Sequence, residues 1–566
     1  MTNGKHGYQF PTVYVALTYD CLYDDYDTVN VHELLDGIPS ICILNYIVRE
    51  FYKVAYSLSD NSTQRKMIRK MCNHIKGEPR KRIWNFLNKH KHSILIETYG
   101  LLMMEALVLK NWTPVDTDED TLDLCEDEYE PVYKVLLYCN KQWTDLQTKG
   151  FKNNKMIDVS LLLEIPIAEF KFYKDFETQM YKAIKFFDFC ESNKVYNSYL
   201  SYFYHDHKID SWKQYVLRLF EMMRASLKNP YVTINEKYPN DRMFFDQYII
   251  VLDDCRKKWE DFNSIAYLRN HFLLKLNEKS YMVLNSNLLV DKFYQGLKFD
   301  FYTTLKNHSL KNTKGKVIAS YADFSSCFGR DFSEPLLLHS LMTDIFADKV
   351  DAIYTGDQLK DLGVVAEPDL YMRIGDSLYL FEYKDVTLSD EVKFSADSDK
   401  MKKAICDRIC KYDDGYAKKG AGQLHFTMEN IFLKGSMDKI DPDVKQIKSV
   451  FPIIMTTDRS FSAMGVNLVV IEEYAKILKT HPIKIPVFIS IPIIMGIDTI
   501  IKCAHRFNNA TYDLNKMLRA YIDKNNLNLI PFDTFVQANY LRKYPFDEEN
   551  TKFLFGDFID RVSSSS

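Results

Sequence analysis

The stretch from Glu367 to Asp385, EPDLYMRIGDSLYLFEYKD, constrains the fold of this chain more than any other. Residues alternate in character on both sides of Gly375-Asp376, and such alternation is typical of a β-strand. The alternating large side chains are Leu370, Met372 and Ile374 before the dipeptide and Tyr379, Phe381 and Tyr383 after it. A glycine-containing dipeptide between two such runs predicts a β-hairpin with a two-residue turn.

The turn also predicts the register of the hairpin. Ile374 would pair with Ser377 across the two turn residues. Because antiparallel strands run back in step, Asp369 then lies opposite Glu382, with the two Cβ atoms roughly 4.5–5.5 Å apart. Lys384 is two positions beyond Glu382 and therefore shares its face. We expect three charged side chains to converge on one face of the hairpin, while the other face packs.

This predicted cluster is suited to a divalent cation. Two carboxylates held so close repel each other unless a proton or a cation lies between them. Mg²⁺ prefers hard oxygen ligands and commonly takes one or two carboxylates while keeping several waters. A neighbouring lysine can orient a metal-bound water or stabilise charge on a phosphate. The alternative is a surface salt bridge of Lys384 on a solvated sheet face.

The elements around the hairpin follow a definite order. Ser333 is a candidate N-cap for a helix from Glu334 to about Ala347, with Pro335 in its first turn. A strand is predicted near Ala352–Tyr354, before the hairpin strands near 367–374 and 378–386. A long helical region and a buried strand, Val450–Met455, follow. Farther on, Val487–Ile494 also predicts a buried strand.

The sequence of this region resembles the PD-(D/E)XK nuclease superfamily. The resemblance lies in Pro368-Asp369, in Glu382 thirteen positions after Asp369, and in the Glu382-Tyr383-Lys384 triplet. It covers roughly residues 332–457. It implies an α/β C-terminal domain with an αβββαβ restriction-endonuclease-like core, in which helices flank a mixed sheet.

The resemblance also implies roles for individual residues. Asp369 and Glu382 would bind Mg²⁺, with Mn²⁺ as a substitute, and the Tyr383 carbonyl would complete the shell. Lys384 would position the attacking water. Glu334 would add a metal contact, although an acid favoured by the helix dipole is an equal alternative.

A glutamine on the helix after the second hairpin strand is a further feature of related nucleases. Gln423 fits that place and would hold water, phosphate or an active-site carboxylate. The tyrosine that sometimes follows four residues later is Thr427 here, so the match to that subfamily is incomplete. A simple helix-start glutamine remains an equal alternative.

The rest of the chain predicts a division into domains. Glycine and proline are scarce, at 19 and 17, while 37 Phe and 38 Tyr favour helices and substantial cores. Residues 1–305 predict a mainly α-helical regulatory or recognition domain. Residues 306–330 predict a linker region, because KNHSLKNTKGK is polar and basic. Residues 331–566 would form the nuclease-like domain.

Charge and cysteine content limit the partners and the compartment. The net charge is −4, so a nucleic-acid contact must come from a local patch. Eleven cysteines without a CxxC pair, and an N-terminus without an apolar core, predict a cytoplasmic protein. The longest apolar run, Ile485–Ile497, is broken by prolines and too short to span a membrane.

One local patch of positive charge follows the hairpin. Acidic residues are interleaved with it, so a solvated helix face is the alternative to a phosphate-contact surface. Its basic residues are Lys393, Lys400, Lys402, Lys403, Arg408, Lys411, Lys418 and Lys419.

Together these features predict a Mg²⁺-dependent deoxyribonuclease, in a role such as bacterial defence or restriction. No GxxxxGK[ST] sequence is present, so an ATPase or another defence-system subunit would have to be a separate partner. The alternative is a catalytically inactive nuclease-fold scaffold that binds nucleic acid or a protein partner. The target, DNA against RNA, strand preference, trigger and oligomeric state stay open.

Overall fold

The computed structural model describes most of the chain. The described residues are 14–55, 60–114, 122–151, 155–168, 170, 175–227, 229–234, 241–258, 264–412, 418–524, 529–541 and 547–563. The chain forms two compact units. The first comprises Met1–Lys149, Phe170–Lys174 and His207–Gly296, and the second comprises Gly150–Glu169, Asp175–Asp206 and Leu297–Ser566. These units interleave along the chain, whereas the division predicted from the sequence follows it in order.

Helices dominate the part of the chain before residue 320. Their bounds are α1 Val31–Leu34, α2 Ser40–Ala55, α3 Asp60–Met71, α4 Gly77–Lys89, α5 Thr98–Lys110, α6 Tyr129–Lys149, α7 Met156–Glu164, α8 Phe176–Ser192, α9 Lys194–His207, α10 Trp212–Ser226, α11 Asp241–Asp246, α12 Leu252–Lys258, α13 Ser264–Asn270, α14 Ser286–Asp291 and α15 Gln295–Asn307. Five short strands accompany them: β1 Val15–Ala16, β2 Ser93–Ile94, β3 Tyr231–Thr233, β4 Leu273–Lys275 and β5 Ser280–Val283. A mainly helical N-terminal region is therefore confirmed.

The C-terminal half combines helices with a larger sheet. Its helices are α16 Tyr321–Phe328, α17 Leu341–Phe346, α18 Gly356–Asp361, α19 Asp390–Lys393, α20 Ser398–Ile409, α21 Ala421–Phe432, α22 Val466–Thr480, α23 Ile497–Asn508, α24 Leu514–Lys524, α25 Phe532–Val536 and α26 Glu548–Ser563. Its strands are β6 Ala352–Thr355, β7 Leu370–Ile374, β8 Ser377–Lys384, β9 Ser449–Thr456, β10 Phe488–Ile489 and β11 Ile493–Gly496. An α/β C-terminal region is therefore confirmed. Within the described residues, every helix is too short or too polar to cross a membrane.

The sheet is mixed and has six strands. Strands β10, β9, β8, β7 and β6 lie side by side in that order, and β11 also pairs with β9. The β6, β7 and β8 strands are antiparallel, whereas β9 runs parallel to β8, β10 and β11. The strands β6 to β9 follow one another in the predicted order, with helices between β8 and β9, but helix α18, which the sequence did not predict, lies between β6 and β7.

Both faces of the central strands are covered. Seven of the eight residues of β8 are buried, and all eight residues of β9 are buried. The face that carries Tyr371, Leu380 and Ile454 packs against apolar residues of α7, α20, α21 and α22. The alternative of a solvated sheet face around Lys384 is therefore wrong, because helices cover the sheet on that side as well.

The helix predicted to begin at Glu334 begins earlier. Helix α16 starts after Ser320, whose side chain accepts a hydrogen bond from the Asp323 N–H, and it continues through a π-helical segment, Gly329–Ser340, into α17. Ser333 is not the N-cap, because its hydroxyl is buried and donates to Asp385. Pro335 lies inside the π-helical segment rather than in a first turn, so its usual meaning as a helix start does not apply here.

The strand predicted over Val487–Ile494 is two short strands. Phe488–Ile489 and Ile493–Gly496 both pair with β9, but the residues between them do not belong to the sheet. Pro492 lies in this gap and has no N–H to donate to a neighbouring strand. Phe488 is about half exposed, so the first of the two strands is not buried.

Candidate active site

The predicted register of the hairpin is confirmed. Ile374 pairs with Ser377 and Leu370 with Phe381, across a turn in which Gly375 has a φ of 56°. Glycine favours this left-handed conformation because it has no Cβ. Asp369 immediately precedes β7, and its Oδ2 accepts a hydrogen bond of 2.7 Å from the Tyr383 N–H. The carboxylate of Asp369 therefore lies beside the backbone next to Glu382.

Glu382 lies at the centre of the site. Its side chain is fully buried, and its Oε1 accepts a hydrogen bond from Lys384 Nζ. Its Oε2 has no hydrogen-bond partner among the described residues. Burial and then the nearby Asp369 carboxylate raise the pKa of Glu382 well above its ordinary value. A buried carboxylate oxygen without a donor is the kind of atom that a cation or a proton would satisfy.

Lys384 keeps its charge beside these acids. Its side chain is 20% exposed, which leaves the ammonium some access to solvent. Burial opposes the charged form, but Glu382 and Asp369 outweigh that effect and raise the pKa of Lys384. Burial also raises the pKa of Asp369, although Lys384 and the Tyr383 N–H oppose the shift. The site thus pairs one cation with two carboxyl groups that burial makes reluctant to ionise.

The backbone of Tyr383 faces the same space as Asp369. Its N–H donates to Asp369, and a strand residue directs its N–H and C=O to the same side. The carbonyl oxygen of Tyr383 therefore lies on the same side of the strand as Asp369. The Tyr383 side chain is buried on the opposite face of the strand.

Glu334 reaches the edge of the site from the π-helical segment. Burial, together with Asp369 and Asp357, raises the pKa of Glu334 to about 7. His339 lies five positions later, the span of one π-helical hydrogen bond. Its Nε2 is 3.7 Å from Glu334 Oε1 and donates to the Asp369 carbonyl at 2.8 Å. Because Glu334 is not in a first helical turn, its interpretation as a dipole-favoured N-terminal acid is wrong.

The three acids of the site do not form a tight group of ligand atoms. Ligand atoms of Glu334, Asp369 and Glu382 do not all fall within 4.8 Å of one another. Among the described residues, the group that meets this spacing is His505, Asp547 and Glu549, where Asp547 also accepts a hydrogen bond of 2.7 Å from Arg506.

Gln423 lies on the helix that covers this face of the sheet. Helix α21 packs on β8 and β9, and Asp441, which follows it, binds Tyr371 and Arg373 toward the turn of the hairpin. Thr427, one turn after Gln423, donates to the Ala366 carbonyl at 2.9 Å. Gln423 is half-buried, and within the described residues it makes no hydrogen bond to Asp369, Glu382 or Lys384.

At least four of the eight basic residues in the predicted patch lie beside carboxylates. Lys400 lies 2.6 Å from Glu391, and Lys403 lies 2.6 Å from Asp407. Further pairs join Lys402 to Asp158, and buried Lys393 to Asp458 at 3.7 Å. These contacts favour the interpretation of a charge-balanced surface over that of a phosphate-contact surface.

Asp385 is a buried residue next to the site that the sequence prediction missed. Its Oδ1 accepts hydrogen bonds from Lys298 Nζ at 2.8 Å and from the Thr457 hydroxyl at 2.5 Å. Its Oδ2 accepts from the Ser333 hydroxyl at 2.6 Å. Burial alone would raise the pKa of Asp385, but Lys298 outweighs it and holds the pKa below its ordinary value. The one sequence signal for Asp385 was its place directly after Lys384. Its partner Lys298 lies 87 positions away, so no local motif joins the two residues.

A second missed residue is Thr456 on β9. It pairs with Lys384 in the parallel register, so both side chains point to the same face of the sheet. Thr456 is buried, and its hydroxyl has no hydrogen-bond partner among the described residues. No sequence motif marks this position, because only the strand register brings it beside Lys384.

This arrangement places oxygen donors and a lysine side by side. The donor set consists of hard oxygens, two from carboxylates and one from a carbonyl, and one carboxylate oxygen lacks a partner. That donor set suits Mg²⁺ or Mn²⁺ rather than a soft metal.

Comparison of the chain with family models, with curated proteins and with solved structures gives no match.

Proposed function

We propose that this chain is a Mg²⁺-dependent nuclease of the PD-(D/E)XK type, with a restriction-endonuclease-like core, that hydrolyses phosphodiester bonds of DNA. The observation that carries the proposal is the pair of carboxylates, Asp369 and Glu382, beside Lys384 at the end of the hairpin. The unpartnered Oε2 of buried Glu382 supports it further. DNA is preferred over RNA by analogy with the family.

Each residue has a separate task in the proposed reaction. Asp369, Glu382 and the Tyr383 carbonyl would hold Mg²⁺, and Mn²⁺ would serve in its place. When bound, such an ion polarises a phosphoryl oxygen and makes a nearby water more acidic. The Lys384 ammonium stabilises the negative charge that develops on the phosphate and orients the attacking water. Gln423 and Glu334 would contact the water or the phosphate from the rim.

The biological setting of the proposed enzyme is a further proposal. A role in bacterial defence or restriction would suit a nuclease that carries a large helical region. An ATPase or another defence-system subunit would then act as a separate protein partner. Co-purification with the product of a neighbouring gene would test this role.

A catalytically inactive scaffold is the second candidate function. Lys400, Lys402 and Lys403 each lie beside a carboxylate, and this charge balance favours a scaffold for a protein partner over a phosphate-contact surface. The scaffold would use the same fold to hold a protein or nucleic acid without cutting it. Intact Asp369, Glu382 and Lys384 favour the enzyme instead.

A cleavage assay separates the two candidates. The full-length protein would be incubated with plasmid DNA, single-stranded DNA and RNA in the presence of Mg²⁺ or Mn²⁺. We expect wild-type protein to cut DNA, and Asp369→Asn and Lys384→Ala each to lose roughly 10²–10³-fold in rate. Lys400→Ala, a surface lysine, is the matched control and should retain activity. DNA binding without cutting by the wild-type protein would favour the scaffold.

A further inference from the structure

We propose that Asp385 is a positioning residue that sets the place of Glu334 relative to Lys384, an inference that rests on the proposed function. Asp385 directly follows Lys384, and its Oδ2 accepts a hydrogen bond of 2.6 Å from Ser333, which directly precedes Glu334. One carboxylate therefore connects the backbone beside the lysine to the backbone beside the third acid.

The π-helical segment needs an external anchor of this kind. Pro335 has no backbone N–H, so the segment loses one hydrogen bond next to Glu334. Helical segments of π type are rare and occur frequently at functional sites. Ser333 and Asp385 are both buried, so water does not compete for their hydrogen bond. The position of Glu334 thus depends on a contact outside its own helix.

The two carboxylate oxygens of Asp385 have different partners, so stabilisation of the fold and positioning of Glu334 can be tested separately. Lys298 and Thr457 bind Oδ1, whereas Ser333 binds Oδ2. The buried ion pair with Lys298 neutralises both charges and would be present in a purely structural site. The Ser333 hydroxyl can be removed without breaking that ion pair. Its loss should therefore release Glu334 and leave the end of β8 in place.

The test compares two hydroxyls that bind the same carboxylate. Ser333→Ala and Thr457→Val each remove one hydrogen bond to Asp385, but only Ser333 adjoins Glu334. Mn²⁺ affinity would be measured calorimetrically on the full-length protein without DNA, and plasmid cleavage would be measured separately. We expect Ser333→Ala to weaken Mn²⁺ binding roughly tenfold, the effect of losing an outer-shell partner. Thr457→Val should change it less than about twofold.

A double-mutant cycle with Glu334→Gln shows whether Ser333 acts through Glu334. Residues that act through one another give non-additive effects. We expect Ser333→Ala to cause no further loss of Mn²⁺ affinity in the Glu334→Gln background. Ser333→Thr, which keeps the hydroxyl, should restore the affinity. If Ser333→Ala does not fold, Ser333→Cys keeps the volume, weakens the hydrogen bond and gives the same comparison.

The possible failures are distinguishable. The positioning role would be overturned if Ser333→Ala and Thr457→Val had equal effects on Mn²⁺ affinity, or if Ser333→Ala and Glu334→Gln were fully additive. The proposed function would survive that result as long as wild-type protein binds Mn²⁺ and cuts DNA. A wild-type protein that neither binds Mn²⁺ nor cuts would overturn the proposed function, and this inference with it.

Discussion

At the scale of single residues, the chain buries carboxyl groups where they are costly to ionise. Glu382 is fully buried and has one oxygen without a partner among the described residues. The Asp369 carboxylate raises the pKa of Glu382, whereas the Lys384 ammonium lowers it. A cation bound here would remove the repulsion between the two acids, as the proposed function requires.

Replacement of Lys384 should separate metal binding from chemistry. Lys384 Nζ occupies Glu382 Oε1, so the ammonium competes with a cation for that carboxylate. We expect Lys384→Met to bind Mn²⁺ as well as wild type or more tightly, and to cut DNA roughly 10²–10³-fold more slowly. Calorimetry and a plasmid assay on the same samples check this. Loss of metal binding in proportion to activity would contradict the assigned role.

Glu105 provides an independent prediction, away from the site. It lies fully buried in α5, and neither carboxyl oxygen has a hydrogen-bond partner among the described residues. Burial raises the pKa of Glu105 well above its ordinary value, so the folded protein holds a proton that the unfolded chain releases above about pH 4.3. The contribution of Glu105 to the free energy of unfolding therefore falls as the pH rises through that value.

Glu105→Gln should remove this pH dependence. Because glutamine does not ionise, we expect the variant to be more stable than wild type at pH 7 by about 1–3 kcal/mol. The advantage should shrink toward about pH 3, where Glu105 is protonated in both states. Urea unfolding at both pH values measures the difference, with exposed Glu78→Gln as the control. A difference that does not change with pH would show that Glu105 is not responsible.

At the scale of elements, the predictable parts are those specified by local sequence. The hairpin register followed from alternation and from the glycine in its turn, and the structure has the same pairs. The start of the helix predicted at Glu334 did not follow from the local sequence. Ser333 binds Asp385, which is distant in sequence, instead of capping a helix. No local pattern distinguishes those two uses of a serine before Glu334. The tertiary contact therefore overrides the capping signal at this position.

A buried ion pair holds the segment between α21 and β9 against the hairpin. Asp441 Oδ2 lies 2.7 Å from Arg373 Nε and also accepts a hydrogen bond from the Tyr371 hydroxyl at 2.8 Å. Breaking a buried pair leaves an uncompensated charge, so we expect Asp441→Asn to lower the free energy of unfolding by roughly 3 kcal/mol. Chemical denaturation measures this. Asp443→Asn is the control, because Asp443 is 57% exposed and 3.4 Å from Arg373. Equal effects of the two variants would contradict the importance of burial.

At the scale of the whole molecule, charge argues against nonspecific DNA binding. The net charge is −4, and several lysines of the stretch after the hairpin, such as Lys400 and Lys403, lie beside carboxylates. The interleaving of the two compact units could not be predicted from composition, because it depends on contacts between segments far apart in sequence. Residues 150–206 illustrate this, since most of them belong with the sheet-containing unit rather than with the helical region before them.

DNA binding by the whole protein should therefore depend on a divalent cation. The carboxylates of the site repel phosphate until a cation neutralises them. Ca²⁺ supports binding without the proposed chemistry, so we expect DNA affinity to be roughly tenfold higher with Ca²⁺ than with a chelator. Fluorescence anisotropy measures this. Glu382→Gln should remove most of the difference, and affinity that is indifferent to Ca²⁺ would show that the site does not contact the phosphates.

The position of a bound metal ion tests the central claim most directly. Crystals soaked in Mn²⁺ would be measured for anomalous scattering. We expect the strongest peak between Asp369, Glu382 and the Tyr383 carbonyl, and we expect it to disappear in Glu382→Gln. A peak at His505, Asp547 and Glu549 with nothing at the hairpin would contradict a catalytic metal site at this end of the sheet.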